Sequence, residues 1–349
     1  MFELFLFAAV LGVLIVGHEF GHFIAARLSG IQVDEFGLGF PPRLATLFKA
    51  GGTRFTINMI PLGGFVRPAG ENDPEVPGGL AGAPKRSRVF VLLSGPAANI
   101  ILAIIAFTAA YKFAAPDPER VLITAIAPNS PAEAAGLQNG DLILSVDGAP
   151  VNGFEALQVA VAAKLGESID LLVEREDAQV LLQLTPRESP PEGEGPIGVL
   201  LGHQTRKMST VAAISLGWQS TWGQFGEMIR LPGRLLQGQV STEDARVSGL
   251  KGMYDMLAWA TEIDRSSQRP FLTLNLIAVI SAGLALANLL PFPALDGGRL
   301  MFVFIEAILG RRINPQYEGL AHAVGFAILL ALMVYVNFQD FINPISLPR

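Results

Sequence analysis

Four stretches of this chain are too long and too apolar to be folded comfortably in water. They run over residues 2–28, 89–115, 271–295 and 320–338, and each reaches the roughly 20 helical residues needed to cross a bilayer. The rest of the chain is not of that kind. Half of the 349 residues are hydrophobic but 16% are charged, with a mean hydropathy of +0.43. A protein that is part bilayer and part water-exposed fits these values. The first stretch has neither a basic start nor a small-residue cleavage site, so we expect a retained span rather than a signal peptide.

The basic residues orient the spans. Arg27, Arg43, Lys49, Arg54, Arg67, Lys85, Arg86 and Arg88 lie between the first two, and Arg299, Arg311 and Arg312 between the last two. The N-terminal tip has no Lys or Arg, and the C-terminal tail has only Arg349. The positive-inside bias places both loops in the cytoplasm and both termini outside, and leaves residues 116–270 outside as well. A net charge of −6 without a basic, aromatic-rich stripe argues against nucleic acid.

The first span is interrupted by His18-Glu19-Phe20-Gly21-His22, an HExxH pattern. On a helix, residues i and i+4 share a face, so both imidazoles can meet one metal with Glu19 beside them. Zinc takes such nitrogen ligands and, in a catalytic site, leaves one position open. The bland reading is a polar cluster that packs helices together. Ionisable groups inside an apolar span are costly, however, and usually functional. A third protein ligand is needed. Cysteine is absent and there are only two further histidines, of which His203 lies outside and His322 reads as a packing or hydrogen-bonding residue. Asp296 is the best candidate. It follows an uncharged span that runs in the same direction as the first, after Pro291 and Pro293 and before Gly297-Gly298, where backbone can approach closely.

Between the spans, residues 121–187 read as a small α+β domain. Short β-branched runs at 121–126, 142–146, 169–174 and 180–184 are separated by turns and a helical stretch at 153–164. Residues 189–195 look like a linker, and 218–236 like an amphipathic helix broken at Pro232-Gly233. That helix suits either the membrane surface or a cap on the domain. In the first cytoplasmic loop, residues 53–58 alternate like a strand and 60–66 (IPLGGFV) carry Gly63-Gly64, which suggests a β-hairpin-like loop beside the membrane.

With these pieces in place, HEFGH at 18–22, SGPAANI at 94–100, NLLPFPALDGG at 288–298 and IPLGGFV resemble the site-2 protease family of intramembrane zinc metalloproteases, in its bacterial RseP-like branch. The resemblance covers essentially the whole chain. It implies a multi-pass α-helical membrane protein of about four transmembrane helices, with a membrane-associated β-hairpin-like loop and an inserted extracytoplasmic PDZ domain. The expected parts are a membrane metalloprotease part at 1–115, the PDZ domain at 116–188, a linker and amphipathic helical region at 189–270, and a C-terminal membrane part at 271–349. It implies His18, His22 and Asp296 as ligands of Zn2+ and Glu19 as the catalytic base. Asn288, Asn99, Gly63 and Gly64 are the expected substrate-binding residues, though each asparagine also suits plain helix–helix hydrogen bonding.

The implied activity is endoproteolysis of transmembrane segments in the bacterial inner membrane, with the active site toward the cytoplasm. Pre-cleaved anti-sigma factors or remnant signal peptides are the substrates the family suggests. The PDZ domain either binds a peptide C-terminus or filters for substrates already trimmed by another protease. A non-enzymatic PDZ receptor or scaffold is the other class, and loss of any of the four site residues would favour it. Two departures stand out. One PDZ domain is readable where relatives carry two, and Gly283 stands where some have an asparagine.

Overall fold

The computed structural model describes residues 1–349 except 72, 192, 241–245, 268 and 346–349, so Arg349 lies outside the described residues. In chain order the elements are α1 (Phe2–Leu28), β1 (Val33–Ala50), β2 (Thr53–Pro68), α2 (Lys85–Ala114), β3 (Pro116–Ile126), α3 (Pro131–Ala134), β4 (Leu142–Val146), β5 (Ala149–Pro150) and α4 (Phe154–Ala162). There follow β6 (Ile169–Arg175), β7 (Ala178–Leu184), β8 (Val199–Thr205), α5 (Thr210–Leu236), α6 (Leu250–Ser266), α7 (Phe271–Leu289), α8 (Asp296–Leu309) and α9 (Pro315–Ile342). Two compact units emerge, one of residues 1–109, 213–261 and 273–349, the other of 110–212 and 262–272.

In the first unit, α1, α2, α7 and α9 are long and apolar enough to cross a membrane. Helix α1 ends where Gly30 turns to φ +72°, and Ile31 N–H returns to Ala26 O at 2.9 Å. Such a left-handed cap is open to glycine because it has no Cβ to clash. The α7 helix stops at Leu289, short of the expected 295, because Pro291 and Pro293 cannot continue it. A helix, α8, then fills much of the segment expected to be a loop.

Strands β1 and β2 form an antiparallel hairpin closed by Gly51-Gly52, with φ of +56° and +85°, between the paired residues Ala50 and Thr53. Two positive-φ residues suit the twist of a two-residue turn. Glu35 is the buried polar centre of this hairpin, accepting from Arg43 at 3.0 and 3.2 Å and from Thr56 Oγ1 at 2.9 Å. Burial alone would raise this carboxyl, but the bonds from Thr56 and Arg43 outweigh it and hold it below the usual carboxylate range. Beside the hairpin, Phe23 of α1 meets Phe36 and Phe55 edge-on, each at 5.8 Å, so hairpin and helix share one core.

Helices α5 and α6 pack among the apolar helices of this unit. Phe225 of α5 lies against Ala103 of α2 and Ala282 and Ala285 of α7. A Cβ on Gly217 would come within 2.3 Å of Thr108 Oγ1, so α5 and α2 touch almost backbone to backbone. Leu257 of α6 is buried with Val10 and Leu14 of α1 and Ile280 of α7. The inner face of α5 is seated against two spans, while Trp218 and Trp222, read from sequence as suiting the membrane surface, stay about half exposed.

The second unit is a six-stranded antiparallel sheet in the order β7-β6-β4-β3-β8, with β5 beside β4. Period-two alternation turns Ile169, Leu171 and Val173 of β6 into a core shared with Val121, Ile123 and Ile143. Each such fully buried aliphatic side chain contributes roughly 1.5–3 kcal/mol. Asp141, also buried, takes a two-pronged bond from Arg175 at 2.7 and 2.8 Å. Strand β8 lies beyond the boundary at 188 read from sequence, yet pairs with β3 along its length. Its His203 stacks on Phe154 of α4 with ring centres 4.1 Å apart.

Candidate metal centre

Helix α1 presents His18 and His22 on one face, their Nε2 atoms 3.2 Å apart. Oδ2 of Asp296, the first residue of α8, lies 3.1 Å from the first and 3.3 Å from the second. Ligands at zinc's usual 2.0–2.1 Å in a tetrahedron sit about 3.3 Å from one another. The donor set therefore has the size that zinc needs. Its electronic state agrees. His22 Nδ1 lies 2.7 Å from Val91 O, a carbonyl that can only accept. The ring proton is thus on Nδ1, and a neutral His22 turns a bare Nε2 lone pair toward a carboxylate oxygen. That oxygen, Asp296 Oδ2, is buried without a hydrogen-bond donor among the described residues. Converging lone pairs repel unless a cation or a proton lies among them, and a metal ion serves all three atoms at once. The residues fit a metal.

Close approach of α2 to α1 shapes the centre. A Cβ on Gly21 would fall 2.3 Å from Ser94 O, and one on Gly17 would fall 2.5 Å from Leu102 Cδ1. Gly17 and Gly21 form a small-xxx-small contact woven through the HExxH residues themselves. Facing them, a Cβ on Gly95 would lie 2.3 Å from His22 Nε2 and 2.8 Å from His18 Cε1. Sequence reasoning passed over these three glycines, although the GxxxG spacing was visible at 17–21.

Asp296 is carried by a turn that is tied on every side. After Pro293, Ala294 takes φ +82°, a left-handed conformation that costs a non-glycine residue about 1–3 kcal/mol. Its N–H is received by His322 Nδ1 of α9 at 2.8 Å. Gly297 and Gly298 leave no room for a Cβ, which would sit 2.3 Å from Leu290 O and 2.2 Å from Phe292 O respectively. Further along α8, Glu306, only 2% exposed, receives Arg88 of α2 at 2.5 Å. Arg88 was read from sequence only as part of a basic flank. In the structure it anchors the aspartate's helix to the helix that orients His22. Removing one partner of a buried pair leaves an uncompensated charge, so Arg88→Met is expected to destabilise the purified chain by about 3–5 kcal/mol. Arg88→Met with Glu306→Leu should recover most of that loss, measured by denaturation in detergent. Equal stability of wild type and Arg88→Met would show that the pair is not a structural anchor.

Glu19 lies beside the metal residues and against β2, where a Cβ on Gly64 would be 3.2 Å from its Cγ. Gly63, at φ +97°, is packed by Phe40, whose Cε2 would be 2.5 Å from a Cβ there. Asn288, one residue before the end of α7, donates its Nδ2 back to Leu284 O at 3.1 Å. Asn99 is 1% exposed and touches His18 Nδ1 at 3.3 Å.

Two imidazoles and a carboxylate thus converge, beside a glutamate, in a group that could hold a metal ion, in a unit with four helices long and apolar enough to cross a membrane: the features expected of a membrane-embedded metallopeptidase. Residues 6–332 match the profile of Peptidase family M50, and the chain belongs to that family of site-2 proteases. It is 27% identical to zinc metalloprotease RasP of Geobacillus kaustophilus over 96% of this chain and 96% of that one. RasP of Oceanobacillus iheyensis is 29% identical, covering 96% and 97% of the two chains. Metalloprotease MmpA of Caulobacter vibrioides is 28% identical over 95% and 93%. Among solved structures, the PDZ domain of an SdrC-like protein of Listeria monocytogenes aligns with 24% of this chain and 87% of that one, at 21% identity and a TM-score of 0.22. The protein is an intramembrane zinc metalloendopeptidase.

Proposed function

We propose that His18 Nε2, His22 Nε2 and Asp296 Oδ2 hold the catalytic zinc, and that Glu19 is the general base for cleavage within a substrate's transmembrane segment. The mutual 3.1–3.3 Å spacing of three lone-pair atoms is the observation that carries this reading. Zinc supplies Lewis acidity, which brings water's deprotonation near neutral pH. Glu19 takes the proton of the attacking water and passes it to the leaving amine. A peptide bond in a closed helix is hidden, so the substrate must be unwound locally. The β2 strand offers backbone for pairing to an extended segment, and Gly64 lets that backbone come close to Glu19. In this reading Asn288 exchanges its intrahelical bond to Leu284 O for one to substrate backbone.

The substrates in this reading are single-pass membrane proteins trimmed beforehand by another protease. The second unit is read as a PDZ domain outside the cytoplasmic membrane, with edge strand β8 open to an extended peptide end. Both termini share that side, and the zinc lies toward the cytoplasm.

Metal analysis of the purified chain tests the ligand set. Wild type is expected to hold one zinc, whereas His22→Ala and Asp296→Ala lose it, with affinity down by about 100-fold or more. If Asp296→Ala kept zinc as firmly as wild type, another residue would be the third ligand.

A further inference from the structure

Both metal-facing histidines are addressed from behind by α2, but by different groups. For His22 the group is the Val91 carbonyl, which dictates the tautomer. For His18 it is the side-chain amide of Asn99, whose Nδ2 lies 3.3 Å from His18 Nδ1. In that orientation the amide donates, so Nδ1 would be bare and the ring proton would sit on Nε2. It would then point at His22 Nε2, 3.2 Å away, and Asp296 Oδ2, 3.1 Å away, where a ligand lone pair is required. The same orientation leaves Asn99 Oδ1 buried with no partner. The two ends of an amide are nearly equal in size, so the same pocket accepts the reverse arrangement.

We propose that Asn99 is a positioning residue whose side-chain oxygen accepts the Nδ1 proton of His18, leaving Nε2 free to bind the metal. The proposal rests on the zinc reading above. Its backbone is held for the task. Asn99 O accepts from Ser281 Oγ of α7 at 2.8 Å, and Ser281 is fully buried. Asn99 also follows Gly95 by one helical turn, so the residue that makes room for the imidazoles and the one that orients His18 face α1 together. Being 1% exposed and pressed to the back of a ligand, Asn99 acts on the metal site rather than on substrate. Such outer partners of metal histidines change metal affinity by about 10- to 100-fold when removed.

The test uses the full-length chain in detergent, with zinc affinity read by competition against a chromophoric chelator. Asn99→Ala is expected to weaken zinc by about 10- to 100-fold. Asn99→Asp, which can only accept, should bind within a few-fold of wild type or more tightly. Nitrogen-15 NMR of histidine-labelled, zinc-loaded wild type supplies a readout that needs no Asn99 variant. The His18 ring should be protonated at Nδ1 and metal-bound at Nε2. Assignment is practical because the chain has only four histidines. Unchanged zinc affinity in Asn99→Ala, with only KM raised, would overturn the proposal in favour of substrate contact. So would an Asn99→Asp that folds but binds as poorly as Asn99→Ala, or a His18 bound through Nδ1. A wild type without zinc would instead overturn the ligand reading, and this proposal with it.

Discussion

Glu19→Gln in the purified chain is expected to cut peptide-bond hydrolysis by about 10³-fold while zinc stays bound at wild-type stoichiometry. The two readouts separate because Glu19 lies beside the ligand cluster, outside its three converging atoms. Glutamine keeps the shape of the side chain in the narrow space against Gly64, so the hairpin and α1 need not move. What it cannot do is take a proton. The measurement is cleavage of a labelled transmembrane substrate in detergent, with metal content determined on the same preparation. Activity within tenfold of wild type would remove Glu19 as the base, and concurrent loss of zinc would recast it as a ligand.

Gly95→Ala should be almost as damaging, although the change adds only one methyl group and removes no polar atom. That methyl would lie 2.3 Å from His22 Nε2 and 2.7 Å from its Cε1, distances that no packed carbon tolerates. Either the ring leaves the ligand position or α2 withdraws from α1. Both loosen the set of three, and we expect zinc affinity to fall by about 100-fold, with cleavage falling alongside. Gly12→Ala is the matched control, since a Cβ there meets nothing within 4 Å. Wild-type zinc affinity in Gly95→Ala would mean that α2 does not crowd the His22 ring at Gly95.

Long apolar runs interrupted by rare polar residues announced the four spans, and the first was legible to its last residue, Leu28. Lone-charge arguments work in such surroundings, so His18, Glu19, His22 and Asp296 stood out before any fold was known. The less visible parts are those whose meaning depends on a distant partner. Arg88 is indistinguishable from Lys85 and Arg86 as a basic flank until Glu306, far along the chain, is placed against it. Strand β8 follows a Pro- and Gly-rich stretch that reads as a linker, and only its pairing with β3 makes it part of the sheet. The amphipathic pattern of α5 was legible, but not what its small buried face, Ala213, Gly217 and Thr221, packs on: Gly217 lies against α2. Asn99 was noticed as a polar residue in a span, but its contact with His18 is a matter of geometry alone.

Residues 17–22 carry two messages written in the same letters. In the proposed mechanism His18, Glu19 and His22 spell the chemistry, while Gly17 and Gly21 lie where the next helix comes close. Phe20, 48% exposed, is the one place in the six where the text can drift among apolar residues. The two unspecified positions of the usual HExxH pattern are therefore unequal here, one free and one fixed. A search string of the form GHExGH would carry far more information than HExxH, and would tell a catalytic membrane helix from a chance match on a soluble one.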